Sequence, residues 1–168
     1  MEISVFTDGS ADNMVQDKGG VGVYFPDKKF KKYSLSKQYK MDKCTNQKME
    51  IIACIHAIRR AAKAMEGVGK EWTLTIYSDS DYTIKSMTEY APKWILYGWK
   101  RKVGNKLKPV SNLVYIKKLY VLTKIYPVKY IHVRSHKKAP SDKTSIEWFR
   151  WNGNDQADKL AKSACDEN

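Results

Sequence analysis

The chain has 168 residues, with 31 Lys and Arg against 18 Asp and Glu, which gives a formal net charge of +13. This length predicts a single domain with a substantial core, and the charge favours a polyanionic partner, although an inert basic surface would show the same composition. No apolar stretch is long enough to cross a membrane, and the opening residues lack a signal-peptide pattern, so we expect a cytoplasmic protein. Three cysteines without a CxxC pair favour reduced thiols over a disulfide framework or a zinc site.

The first 40 residues predict an antiparallel meander of three strands. Alternating apolar residues over residues 3–10 indicate a strand that ends in Asp8, Gly9 and Ser10. Residues 20–25 and 30–39 continue the pattern after short turns. The glycines near residue 20 indicate close packing of strands rather than a phosphate loop, because no Lys followed by Ser or Thr comes after them.

A long helix and a fourth strand come next. Residues 45–65 predict a helix with Thr45 or Asn46 as its cap and two glycines after its end. Its first half is almost entirely apolar except for Glu50, which is a capping-box acid, a solvent-facing residue or a functional group. Residues 72–78 predict a strand, and Asp79 then stands either as the N-cap of a helix over residues 80–89 or as a functional acid.

Residues 92–108 combine cations with large aromatic side chains and contain no acid. Such a segment can lie along a phosphate backbone while its rings, Trp94 and Trp99 among them, stack on sugars or bases. The alternative is an exposed loop whose tryptophans fill a local core.

The last third predicts a helix over residues 111–124, a fifth strand over 128–133 and a final helix from Asn152 or Asn154 to Ala164. His136 follows the fifth strand in a polar loop that looks mobile, and it is either a titrating group or an exposed histidine without a role. Residues 146–151 are apolar and aromatic, and their structure is not evident from the pattern.

Four acids from four separate segments stand at element ends or on inward faces: Asp8, Glu50, Asp79 and Asp158. Several negative charges cannot share a pocket without a cation, and hard divalent cations prefer oxygen ligands. The pattern therefore predicts a divalent-metal site.

The residues that carry these features also resemble the motifs of type 1 ribonuclease H, in the same order. The matching segments are residues 7–10, 45–50, 78–80, 135–136 and 154–161. The resemblance implies an α/β fold with a mixed five-stranded sheet, in which the last two strands run parallel to the first and helices cover both faces. It also implies one catalytic domain over residues 1–168, with a basic protrusion at about 92–108 and an insertion at about 137–151.

Carried over residue by residue, the resemblance makes the four acids metal ligands and makes His136 the catalytic loop histidine. It implies contacts to an RNA/DNA hybrid from two groups: Gly9, Ser10, Thr45, Asn46, Gln47 and Ser80 near the minor groove or a phosphate, and Trp94, Trp99, Lys100, Arg101 and Lys102 in the protrusion. The implied reaction cuts the RNA strand with two Mg²⁺ ions, for which Mn²⁺ is a possible substitute, and leaves 5′-phosphate and 3′-hydroxyl ends. Asp81 departs from the pattern, because the family often has an amide there.

Three other functions remain open at this point. A nuclease of similar fold could act on DNA junctions, and a hybrid-binding module could have little or no activity. A basic structural protein would leave the four acids unexplained. We expect a monomer without an obligate protein partner.

Overall fold

The structure is a computed structural model that describes all 168 residues. In chain order its strands and helices are β1 (Glu2–Ala11), β2 (Lys18–Tyr24), β3 (Leu35–Lys40), α1 (Asn46–Met65), β4 (Thr73–Ser78), α2 (Asp81–Lys85), α3 (Ala91–Leu96), β5 (Lys100–Val103), β6 (Lys106–Pro109), α4 (Leu113–Ile125), β7 (Val128–His132) and α5 (Ile146–Cys165). A 3₁₀ helix (Lys28–Tyr33) precedes β3, and a π-helical turn (Ser86–Tyr90) joins α2 to α3. None of the helices combines the length and the apolar character that crossing a membrane requires.

The central sheet has five strands in the order β3-β2-β1-β4-β7. The first three strands are antiparallel neighbours, whereas β4 runs parallel to β1 and β7 runs parallel to β4. The predicted mixed sheet is therefore confirmed. Because Thr7 pairs with Ser78, the carboxyl ends of β1 and β4 meet at one edge of the sheet.

Alternating side chains on β1 divide the core between two faces. Ile3 and Val5 belong to the main cluster, which includes the apolar residues of α1 and α4. Phe6 points the other way and packs with Ala157 of α5 and with Tyr77 of β4. The helices thus cover both faces of the sheet, as predicted, with α1 on one face and α5 on the other.

Glycine residues on β2 let α5 lie unusually close to the sheet. A Cβ atom at Gly22 would collide with the carbonyl oxygen of Ala157, and one at Gly20 would collide with that of Ala161. The prediction of close packing at these glycines is right in kind, but the close neighbour is a helix backbone rather than another strand.

The third strand and the helix after β4 differ most from their predicted bounds in the first two thirds of the chain. The predicted strand over residues 30–39 begins only at Leu35, because Asp27 caps a 3₁₀ helix that buries Phe30 under the sheet edge. The helix predicted to end near Glu89 continues through the π-helical turn into α3, whose first turn accommodates Pro92.

The last helix begins at Ile146, so the prediction of a start at Asn152 or Asn154 is wrong. The Ser145 hydroxyl accepts a hydrogen bond from the Trp148 backbone amide and caps the helix there. Phe149 then packs edge-on against Phe6, with ring centroids 5.3 Å apart. The second half of the predicted insertion at 137–151 is therefore the start of α5, and only its first half is a loop.

Candidate active site

Three acids meet at the sheet edge where β1 and β4 end. Asp8 follows Thr7, the last residue of β1 that pairs with β4, and Asp79 directly follows β4. Glu50 projects from the first turns of α1, whose N-terminus is fixed by the Thr45 hydroxyl, which accepts a hydrogen bond from the Lys48 amide. A Cβ atom at Gly9 would collide with the Glu50 backbone, so the glycine permits the helix to approach β1 closely. Rigid elements therefore hold all three carboxylates.

The carboxylate cluster of Asp8, Glu50 and Asp79 is compact and mostly buried. One oxygen from each acid lies within 4.8 Å of the others, and Asp8 and Glu50 are only 5% and 8% exposed. The Gly9 amide donates a hydrogen bond to Asp8 Oδ1 at 2.9 Å. Glu50 Oε2 is buried without any hydrogen-bond partner. A buried acceptor without a donor is costly, so this oxygen is suited to a ligand that the protein itself does not supply.

Burial and mutual repulsion oppose the charged forms of these acids. Burial raises the pKa of Asp8 from its ordinary 3.8 to about 7, and the nearby Asp79 adds to the increase. Burial likewise raises the pKa of Glu50 well above its ordinary value, with further increases from Asp8 and Asp79. A divalent cation would stabilise the charged carboxylates and so lower both pKa values. The oxygen-only donor set fits a hard cation such as Mg²⁺.

Asp158 and His136 lie beside the cluster rather than within it. The Asp158 carboxylate forms an ion pair with Lys162 at 3.1 Å and is close enough to Asp8 to raise the Asp8 pKa. His136 has a left-handed backbone conformation, with φ of 57°, and lines a cleft of about 90 Å³ together with Asp158 and Asn154. The structure thus brings the loop histidine and the fourth acid to one cleft.

The residues predicted to contact the minor groove lie around the cluster. Asn46 Oδ1 accepts a hydrogen bond from the Ala11 amide at 2.7 Å, and Gln47 Oε1 accepts one from Asn112 at 3.3 Å. Both amide groups keep their NH₂ donors free for another partner. Ser80 caps α2 through the Thr83 amide, while Ser10 is half-buried on β1 after Gly9.

The basic segment begins in α3, which carries Trp94, and continues as a two-stranded hairpin of β5 and β6 that is separate from the main sheet. Lys100, Arg101 and Lys102 are exposed on β5. The two tryptophans are only partly buried and pack against the main core: Trp94 lies beside Tyr90, and the Trp99 ring meets Tyr120 edge-on with centroids 5.9 Å apart. Each tryptophan therefore packs against the core of the protein, in addition to the contact with nucleic acid that the sequence predicts.

Three residues near the cluster were not identified from the sequence. Asn154 Nδ2 donates to Asp79 Oδ2 at 3.4 Å, and its place one turn before Asp158 on α5 was a usable signal. His132 Nε2 lies 3.3 Å from the Asp79 carbonyl oxygen, to which it can donate. Asn112 precedes α4 in a left-handed conformation and makes no capping bond, and its contact with Gln47 leaves no trace in the local sequence.

Comparison with known proteins agrees with this geometry. The family model described as RNase H matches residues 1–166. The chain is 28% identical to ribonuclease H of Lachnoclostridium phytofermentans, over 99% of the chain and 93% of that protein. It is 31% identical to ribonuclease H of Ruthia magnifica, over 98% and 96% respectively. The crystal structure of LC9-RNase H1 superposes with a TM-score of 0.66 at 22% identity, covering 98% of this chain and 72% of that one, which supports the shared fold. The chain therefore belongs to the ribonuclease H family.

Proposed function

We propose that this protein is an endonuclease that hydrolyses the RNA strand of RNA/DNA hybrids with the help of divalent cations. The relatives named ribonuclease H support the reaction class. The observation that carries the proposal is the carboxylate cluster, in which two buried acids and the half-buried Asp79 converge within 4.8 Å and one buried oxygen has no partner. A binding module without catalysis would have no use for such a costly arrangement.

Asp8, Glu50, Asp79 and Asp158 would hold two Mg²⁺ ions, with Mn²⁺ as a possible substitute. When bound, the cations would lower the pKa of the attacking water and stabilise charge on the leaving 3′ oxygen, which leaves 5′-phosphate and 3′-hydroxyl ends. The chain's own contribution is to fix these oxygens, since α1 and the ends of β1 and β4 cannot move apart without breaking the core.

His136 would exchange a proton at the cleft that it shares with Asp158. Its imidazole is exposed and lies on a loop, so it can reach water on one side and the reacting groups on the other. Imidazole is the side chain that most often transfers protons in catalysis, since one ring nitrogen can accept a proton while the other holds one. We assign it to deprotonation of the water or to the departure of the product.

Selection of RNA would come from the amide groups around the cluster. The free NH₂ donors of Asn46 and Gln47 can reach a 2′-hydroxyl in the minor groove, which DNA lacks. Gly9, Ser10 and Ser80 would complete this surface, and Thr45 would lie near a DNA phosphate. Trp94, Trp99 and the hairpin cations Lys100, Arg101 and Lys102 would contact the DNA strand. All of these groups come from one domain of one chain, so we propose a monomeric enzyme.

Cleavage of a strand-labelled RNA/DNA hybrid tests the proposal, with single-stranded RNA, duplex RNA and duplex DNA as controls. We expect the RNA strand of the hybrid to be cut with Mg²⁺ and not with EDTA. Tight hybrid binding without any cutting would instead identify an inactive hybrid-binding module, and cutting of DNA junctions would identify a nuclease of different specificity.

A further inference from the structure

A second pocket lies next to the cleft that His136, Asp158 and Asn154 line, on the side of the sheet that α5 covers. It has a volume of about 450 Å³ and opens between the end of β7, the following loop and the first turns of α5. We call it the basic pocket, and it is lined by His132, Val133, Arg134, Lys137, Lys138, Pro140, Glu147, Arg150 and Trp151. Most of these residues belong to the segment 137–151, for which the function above has no use.

The basic pocket holds an excess of positive charge that the protein does not neutralise. Four cations line it against a single acid, Glu147. The four ion pairs of the chain all use lysines elsewhere, so none of the pocket cations has an acidic partner. Arg150 is held over the Tyr77 ring at 5.9 Å, and its buried Nε has no hydrogen-bond acceptor. An anionic ligand would supply both an acceptor and the countercharge that these cations lack.

The basic pocket adjoins the cleft lined by His136 and Asp158. Lys137 and Trp151 line both cavities, and the Trp151 indole donates to the Lys137 carbonyl oxygen at 2.9 Å, which ties the loop to α5. His132, at the rim of the pocket, donates to the backbone carbonyl of Asp79. An anion in this pocket would thus lie within reach of a substrate bound at the carboxylate cluster.

We infer that the basic pocket binds a backbone phosphate of the RNA/DNA hybrid and so makes the 137–151 segment a second substrate-contact region. The hairpin of β5 and β6 belongs to the helical layer of α3 and α4, whereas this pocket belongs to α5. The two cationic regions would then hold the hybrid from both sides of the carboxylate cluster. This inference rests on the proposed function for the identity of the nucleic acid.

The test compares two double variants that remove the same charge. Arg134→Gln with Lys138→Gln changes two exposed residues of the pocket, and Lys70→Gln with Lys129→Gln changes two exposed residues outside both the pocket and the 137–151 segment. Each is combined with Asp8→Asn, and hybrid binding is measured in EDTA by fluorescence anisotropy across a salt series. Binding is then measured without cleavage, whether or not the wild-type protein proves to be a nuclease.

We expect the pocket variant to bind the hybrid about 10-fold more weakly near 0.1 M salt and to reduce the slope of log K against log salt by about 0.9, because one phosphate is no longer neutralised. The control variant should keep the wild-type slope. In the active background the pocket variant should raise KM and leave kcat unchanged. Equal losses of affinity in both double variants, or no loss in either, would overturn the inference.

A calorimetric titration with inorganic phosphate separates a backbone phosphate from a free one. Saturable phosphate binding that the pocket variant abolishes, together with unchanged hybrid affinity, would make the pocket a free-anion site and overturn the inference. Failure of the proposed function would appear separately, as a wild-type protein that does not cut the hybrid in Mg²⁺.

Discussion

The carboxylate cluster and the basic hairpin each concentrate one sign of charge, but they hold it in opposite ways. Asp8 and Glu50 are buried, Asp79 is half-buried, and all three are positioned by the central sheet and α1. Every residue from Lys100 to Pro109, by contrast, is exposed on a small separate sheet. Within the hairpin, Arg101 stands directly opposite Lys108. Like charges opposite each other destabilise a strand pair, just as neighbouring carboxylates destabilise the cluster.

The difference follows from what each region has to bind. A small cation needs oxygens placed to within a fraction of an ångström, so its ligands have to be held by the core. A phosphate backbone is contacted mainly through released counterions, which depends on charge density more than on the position of any one side chain. The buried region should therefore respond sharply to single substitutions, and the exposed one gradually to several.

The largest effect is expected from Asp8→Asn. Loss of one fixed carboxylate should lower kcat at least about 10³-fold, or roughly 4 kcal/mol of transition-state stabilisation, because the cation site is then incomplete. Hybrid binding should persist. The measurement is single-turnover cleavage of a labelled hybrid in Mg²⁺, with Glu66→Gln as the control, since Glu66 only pairs with Lys63 at the surface, at the far end of α1. Wild-type rates in Asp8→Asn would remove Asp8 from the catalytic site.

The same substitution should stabilise the metal-free protein at high pH. The Asp8 pKa is raised in the folded state, from 3.8 to about 7, so the folded state binds the proton more tightly than the unfolded state. The free energy of unfolding should therefore fall as the pH rises from about 4 to about 7. In Asp8→Asn the contribution of Asp8 to this decrease should be absent. In EDTA at pH 8 the variant should be more stable by on the order of 2–4 kcal/mol.

Urea denaturation in EDTA between pH 4 and pH 8 measures this difference. The two proteins should approach each other in stability at low pH and diverge as the pH rises, and added Mg²⁺ should raise the wild-type melting temperature more than that of Asp8→Asn. Parallel pH profiles would show that the buried acid imposes no cost.

The sequence was informative about the cluster for a physical reason. Acids at the end of an alternating strand or inside an apolar helix face are conspicuous, because burial of a charge requires compensation. The third strand and the last helix were harder to predict. Their bounds depend on Asp27 and Ser145 as caps and on the burial of Phe30 and Phe149, which only the tertiary contacts reveal.

The hairpin should respond less sharply than the cluster. Replacement of Lys100, Arg101 and Lys102 by Ala should raise KM on the order of 10-fold with little change in kcat, and should reduce the salt slope of hybrid binding by about 0.9 for each phosphate that the hairpin no longer neutralises. Replacement of Lys28, Lys29 and Lys31, which are exposed on the 3₁₀ helix, removes equal charge and serves as the control. Equal salt slopes in the two triple variants would show that the hairpin has no special role.

The smallest effect is expected at Asn112, which connects the two regions. It lies three residues beyond the hairpin and donates a hydrogen bond to Gln47 in the first turn of α1, close to the carboxylate cluster. Asn112→Ala should free the Gln47 side chain and raise KM about 2- to 5-fold, since one neutral hydrogen bond contributes about 1 kcal/mol. Gln47→Ala should have a similar or larger effect, and the double variant should be less impaired than the product of the two single effects. Strictly additive effects would mean that Asn112 acts independently of Gln47, and the hairpin and the cluster would then contribute to hybrid binding separately.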